Sequence, residues 1–206
     1  MKVYLNLNDG ATKRVMQQYG LTTKNRLGRG MFCAAYDAGW DEVMKLTSDP
    51  IQMESIRDYF KGKHFPRLIH NYGYMGEQRN EASLFLFKVD RLKPLKEADA
   101  ATQTLARSLV RRTCKLYGTV NVEEKYRWNN FYTERDKLIV QSLIDDVRLP
   151  QSLRDAFEPV LSMLNDYDGM RLDLCGANLM VRGQDELILN DIVVDGKLIS
   201  KLHSYA

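Results

Sequence analysis

The sequence predicts an α+β protein: a strand-rich first half with one helix, then a mostly helical half that closes on short strands. Three observations predict it. Up to residue 89, short apolar runs alternate with polar residues or stop at turn residues. From Asp90-Arg91-Leu92-Lys93-Pro94 to Asp166, apolar residues recur at helical spacing. After Gly169 the short runs return. This order suggests a single domain of two lobes, residues 1–89 and 95–206, joined by a connector over 90–94.

The elements follow in order. Val3, Leu5 and Leu7 alternate with polar residues, the pattern of a half-buried strand. Met31–Ala38 and Asp41–Thr47 read as a hairpin turning near Gly39-Trp40. Asp49 is a good helix N-cap, Pro50 suits the first helical position, and Met53, Ile56 and Phe60 continue at helical spacing. Arg67–Met75 and Ser83–Val89 read as two further strands around turn residues Gly76–Asn80. Beyond the connector, a first helical stripe runs through Ala98, Ala101, Leu105, Leu109 and Leu116. A second takes Leu138, Ile139, Leu143 and Val147, and a third Leu153, Phe157, Val160, Leu161 and Leu164, with Pro159 as a kink. Asn178–Val181 and Glu186–Leu189 are the closing strands.

Composition removes several classes. Lys plus Arg is 30 against 27 for Asp plus Glu, so the charge of +3 does not point to nucleic acid. No run reaches the ~18 apolar residues of a membrane span, and the start, MKVYLNLNDG, lacks a signal-peptide core. Cys33, Cys114 and Cys175 are too few and too dispersed for a disulfide framework or a metal knuckle, which suggests a reduced, cytoplasmic protein. His64, His70 and His203 form no HExxH pair, and no GxSxG or GxxxxGK[ST] occurs. The basic residues Arg107, Arg111, Arg112, Lys115, Lys125, Arg127, Arg135 and Lys137 read as solvated faces, and Trp128, Phe131 and Tyr132 as core.

Four features stand in one order. Leu27–Tyr36 carries Gly28 and Gly30, which let backbone approach an anion; a two-glycine hairpin turn would look the same. Lys45 has apolar neighbours in the next strand and shares a face with Val43; it is either a cation reaching phosphates or a surface lysine on an edge strand. In Arg171–Val181, Asp173 and Asn178 are five apart. That is the spacing of a catalytic loop in which a carboxylate takes a hydroxyl proton and an amide oxygen holds a metal. Asp191 ends an apolar strand 13 residues after Asn178 and suits a divalent ion.

Together the four resemble the protein-kinase signature set. Within that superfamily the chain is similar to the early serine/threonine protein kinases of podophages that encode their own RNA polymerase. The shared stretches are Ala34-Ala35-Tyr36 after the glycine loop and Asp173 to Met180, over about residues 20–195. The resemblance implies a minimal bilobal protein-kinase-like fold with an antiparallel-sheet N-lobe and a small, truncated C-lobe. It implies that Gly28 and Gly30 cover the ATP phosphates and that Lys45 binds them. Asp173 would be the catalytic base, and Asn178 and Asp191 the Mg²⁺ (or Mn²⁺) ligands. The backbone of Lys88, Val89, Asp90 and Leu92 would face adenine, and Glu54 is the candidate partner of Lys45, although it lies off the Met53/Ile56/Phe60 stripe. The implied activity is ATP-dependent phosphorylation of Ser/Thr hydroxyls on host proteins.

The departures keep alternatives open. Arg171-Leu172-Asp173 lacks the His of H-R-D, Cys175 stands where such kinases carry Lys, and D-F-G becomes Asp191-Ile192-Val193. Fifteen residues follow Asp191, too few for a standard peptide platform. A pseudokinase that inhibits a host enzyme by contact, or a small-molecule kinase of the aminoglycoside-phosphotransferase type, are the rival readings.

Overall fold

The computed structural model describes residues 4–120 and 131–203. Val3, Lys125, Arg127 and Trp128 lie outside them, as do the side chains of Phe131 and His203. The fold is α+β, with an antiparallel sheet early in the chain and mostly helices after it. The chain divides into two compact units. One holds the residues up to Arg57, Arg67–Arg91 and those from Asp195 on; the other holds Asp58–Pro66 and Leu92–Val194.

In the first unit, β1 (Arg26–Arg29), β2 (Cys33–Gly39), β3 (Glu42–Thr47), β4 (Leu68–Glu77) and β5 (Ser83–Asp90) form one sheet in the order β1-β2-β3-β5-β4. The predicted hairpin turns at Gly39, Trp40 and Asp41, all three with positive φ. α2 (Pro50–Glu54) begins where the N-cap predicts: Asp49 is buried, and its carboxylate accepts from the Ile51 N–H at 2.9 Å. The helix then widens into a π-helical turn over Ser55–Tyr59. Met53 and Ile56 pack with Val43, Phe87 and Val89 on one face of the sheet. Ala34, Tyr36, Met44, Leu46, Leu84 and Leu86 cover the other face.

The second face is closed by a helix that the alternation at the N-terminus hides. α1 (Gly10–Gln18) is capped by Asp9, which accepts from the Ala11 N–H at 2.8 Å, and buries Thr12 and Val15. It ends at Gly20, φ 66°, with the Leu21 N–H bonded to Met16 O and the Gly20 N–H to Gln17 O. Leu5 is fully buried, yet residues 4–9 are not a strand. Their backbone groups go elsewhere: the Asn6 N–H donates to Gln78 Oε1 at 2.7 Å, and the Leu5 N–H to Met31 O at 3.1 Å. A buried side-chain amide takes the place of a ladder, so alternation is present without a strand.

The second unit holds α3 (Ala100–Thr119), α4 (Phe131–Ile144) and α5 (Gln151–Asp166). α5 is continuous through Pro159 and buries Leu153, Phe157, Val160 and Leu164, as the third stripe predicts. The other two stripes are shifted. α3 buries Thr102, Ala106, Leu109 and Thr113 and leaves Ala101 exposed. α4 buries Thr133, Asp136, Ile139, Val140 and Leu143 but exposes Leu138 and, after the helix, Val147. Polar residues reach these inner faces because each is hydrogen-bonded there: Thr102 to Asp185 O, Thr113 to Leu109 O, Thr133 to Met170 O. Short strands complete the unit. β6 (Lys93–Pro94), β8 (Leu179–Arg182) and β9 (Glu186–Leu189) make one sheet, and β7 (Met170–Leu172) pairs with β10 (Val193–Asp195). The chain closes on α6 (Gly196–His203). Among the described residues, no helix is long and apolar enough to cross a membrane.

Candidate functional site

Three of the predicted residues converge in the second unit. β8 and β9 are a hairpin in the register Leu179↔Leu189, so the next residues out, Asn178 and Asn190, face each other just beyond its end. The Asn190 N–H donates to Asn178 O at 2.8 Å. This register turns a separation of 13 residues into contact, and it brings Asp191 beside Asn178. On the other side, β7 delivers Asp173 to a turn closed by the Cys175 N–H on Asp173 O and the Asn178 N–H on Cys175 O, both 3.1 Å. Leu172 and Leu174 are buried on either side of Asp173, which is itself exposed.

The Asn178 side chain ties this cluster. Its Nδ2 lies 2.8 Å from Asp173 O, 2.9 Å from Asp173 Oδ2 and 3.1 Å from Asp191 O. All three partners are acceptors, so the amide nitrogen must face them, and Oδ1 is turned away from every one of these bonds. The Asp173 N–H donates to Ile192 O at 2.7 Å, joining the loop to the segment after Asp191. Asp191 has φ 51°, a left-handed conformation uncommon outside glycine. Its Oδ2 accepts from Asn190 Nδ2 at 3.2 Å. Asn178 Oδ1 and the Asp191 carboxylate are hard oxygen donors of the kind Mg²⁺ takes.

Beneath the loop lies a carboxylate that the sequence pattern does not reveal. Asp136, on α4, is fully buried. It accepts from Arg171 Nε at 2.8 Å, from the Leu172 N–H at 2.9 Å and from the Tyr117 hydroxyl at 2.9 Å. Burial, with the Asp136 charge beside it, pushes the Tyr117 phenol well above its ordinary pKa, so it stays protonated and donates. The guanidinium of Arg171 lies 4.4 Å from the centre of the Tyr132 ring, and Arg135 lies 5.3 Å from it. Tyr132 is thus not core: it is 56% exposed and flanked by two cations.

The other predicted residues, Leu92 excepted, lie in the first unit. Lys45 is in β3, an internal strand paired with both β2 and β5, and is 5% exposed. It is not an edge-strand surface lysine. Glu54 is half-buried and makes no ion pair among the described residues. Gly28 pairs with Ala35 across β1 and β2, and the Gly30 N–H closes a tight turn on Cys33 O at 2.8 Å. A Cβ would meet nothing within 4 Å at Gly28 and only Cys33 O, at 3.8 Å, at Gly30.

Residues 88–91 are already bonded within the first unit. Lys88 and Val89 sit in the ladder between β3 and β4, and the Lys88 ammonium pairs with Glu42 at 2.8 Å. The Asp90 N–H donates to Arg67 O and the Arg91 N–H to Asp41 O. Leu92 belongs to the second unit and opens its longer stretch, Leu92–Val194. A cavity of about 540 Å³ opens at the start of α1, lined by Asn6, Asp9, Lys13 and Arg79 among others, and contains none of the predicted residues.

No protein-family model matches the chain, and no curated protein matches it. Solved structures show a likeness, two of them of one enzyme. One is a thermostable mutant of an aminoglycoside phosphotransferase in ternary complex with ADP and hygromycin B. It is 11% identical over 94% of this chain and 74% of that one, with a TM-score of 0.34. The other is a thermostable mutant of the same enzyme with AMP-PNP and hygromycin B, 12% identical over 97% and 81%, with a TM-score of 0.35.

Proposed function

We propose that this chain transfers the γ-phosphoryl group of ATP to a hydroxyl acceptor with Mg²⁺ or Mn²⁺. The observation that carries the reading is the Asp173–Asn178–Asp191 cluster. One amide nitrogen organises the backbone and carboxylate of Asp173 and the backbone of Asp191, while its oxygen is turned away from all three. Phosphoryl transfer is mostly positioning and charge stabilisation, and a base, a metal amide and a metal carboxylate are its minimal components. Asp173 accepts the acceptor's proton as its oxygen attacks the γ-phosphorus and ADP leaves; Asn178 Oδ1 and the Asp191 carboxylate would hold the cation, which would offset the phosphate charge. Lys45, buried in a central strand, is assigned to the phosphates. So are Gly28 and Gly30, because the fold itself would tolerate a side chain at Gly28 and nearly so at Gly30. Adenine is assigned to the 88–92 backbone, through atoms other than the N–H groups of Asp90 and Arg91.

The finer reading is a phage-type early kinase acting on Ser/Thr of host proteins in the host cytoplasm. A second reading, a kinase of small hydroxylated molecules, draws on Cys175, which stands two residues after the base where protein kinases of this type place Lys. One experiment separates them. Purified protein is given γ-labelled ATP, Mg²⁺ and a bacterial extract, and label is counted in protein and in small-molecule fractions. We expect protein labelling by the wild type and none by Asp191→Ala, which keeps its fold. Label confined to small molecules selects the second reading. Equal labelling by Asp191→Ala, or none by the wild type, overturns phosphoryl transfer and leaves contact inhibition.

A further inference from the structure

Asp136 has no place in the chemistry just proposed, yet it is a fully enclosed carboxylate that touches the loop. A buried charge is retained only where it is fully paired. Its three donors are not scattered: Arg171 Nε, the Leu172 N–H and the Tyr117 hydroxyl all bear on the two residues before Asp173. The Tyr117 oxygen also lies 3.4 Å from Leu172 O, though its single proton goes to the nearer Asp136 oxygen. The peptide between Leu172 and Asp173 is therefore flanked by Tyr117 at its oxygen and bonded to Ile192 O at its N–H. One turn earlier on α4, Thr133 Oγ1 donates to Met170 O, so the same helix face grips β7 twice. The Arg171 guanidinium is spent on Asp136 and the Tyr132 ring.

We propose that Asp136 is the positioning residue of the catalytic loop: from α4 it fixes the backbone that aims the Asp173 carboxylate, without touching nucleotide or acceptor. The claim rests on the phosphoryl-transfer reading. The test compares Asp136→Ala, Asp136→Asn and Tyr117→Phe in the full chain. It follows kcat and KM for ATP in γ-label transfer to extract protein, and the ¹H–¹⁵N resonance of the Leu172 amide.

Asp136→Ala should lower kcat about 10²-fold, the cost of a misplaced reacting group, with KM for ATP changed by less than about threefold. Asp136→Asn should recover kcat to within about tenfold of wild type. Its Oδ1 can still accept from Arg171 and Leu172, while its Nδ2 donates to the Tyr117 oxygen. The Leu172 resonance should move in the alanine variant and nearly return in the asparagine one. Wild-type kcat in a folded Asp136→Ala, or no recovery by Asp136→Asn, overturns the proposal. Should Asp136→Ala not fold, Tyr117→Phe decides: a several-fold loss in kcat at constant KM supports positioning, and an unchanged kcat refutes it. If the wild type transfers no phosphate, the functional reading falls and the Leu172 resonance alone decides; unmoved in Asp136→Ala, it refutes the positioning role too.

Discussion

Asn178 does two things with one side chain. Its nitrogen gathers Asp173 and the Asp191 carbonyl, and its oxygen is the metal amide of the proposed mechanism. Removing it should loosen the loop and weaken the cation together. Asn178→Ala is expected to raise the Mg²⁺ concentration for half-maximal transfer by roughly ten- to a hundredfold, the usual scale for losing a group that orients a metal site. A Mg²⁺ titration of the transfer rate checks this, and an unchanged midpoint would exclude Asn178 from metal binding. This residue was legible because a fixed spacing from Asp173 lies within one short loop. Asp136 was not. It precedes Arg171 by 35 residues, and nothing local marks an aspartate on α4 as buried; only its long-range partners do.

Elements were legible where hydropathy alone decides burial. The hairpin β2–β3, the start of α2, the pair β4–β5 and the inner face of α5 come straight from pattern and capping. α3 and α4 were found, but their faces were misread, because Thr102, Thr113, Thr133 and Asp136 are buried through hydrogen bonds that hydropathy does not see. α1 was hidden by the alternation before it, which serves Gln78 instead of a strand. Polar ties also join helices. Asp146, after α4, accepts from Arg148 Nε at 2.7 Å and pairs with Arg112 on α3. The Arg148 hydrogen bond, helped by Arg112, holds its carboxyl well below the usual carboxylate range. A carboxyl depressed in the folded state stabilises fully only above its unfolded pKa. Asp146→Asn should therefore cost about 1 kcal/mol at pH 7. The difference from wild type should shrink as pH falls below the unfolded value of about 4. Urea unfolding at pH 7 and pH 3 measures it; a difference that grows at pH 3 would contradict this assignment.

At the scale of the whole molecule, the chain places its predicted chemistry in two units of different construction. A five-stranded sheet buries Lys45 in its middle strand, and a helical unit carries the loop with Asp173, Asn178 and Asp191 at the mouth of a short hairpin. The loop cluster lies wholly within residues 173–191. That is why a motif could find it, whereas the support under it comes from α3 and α4. In the proposed mechanism this cluster moves a phosphoryl group, with Asp173 as its base. The most direct measurement is the initial rate of γ-phosphoryl transfer by Asp173→Asn at saturating Mg-ATP, beside its Mg-ATP affinity. The expected rate is lower by about 10²- to 10⁴-fold, with affinity near that of wild type. A rate equal to wild type would contradict it.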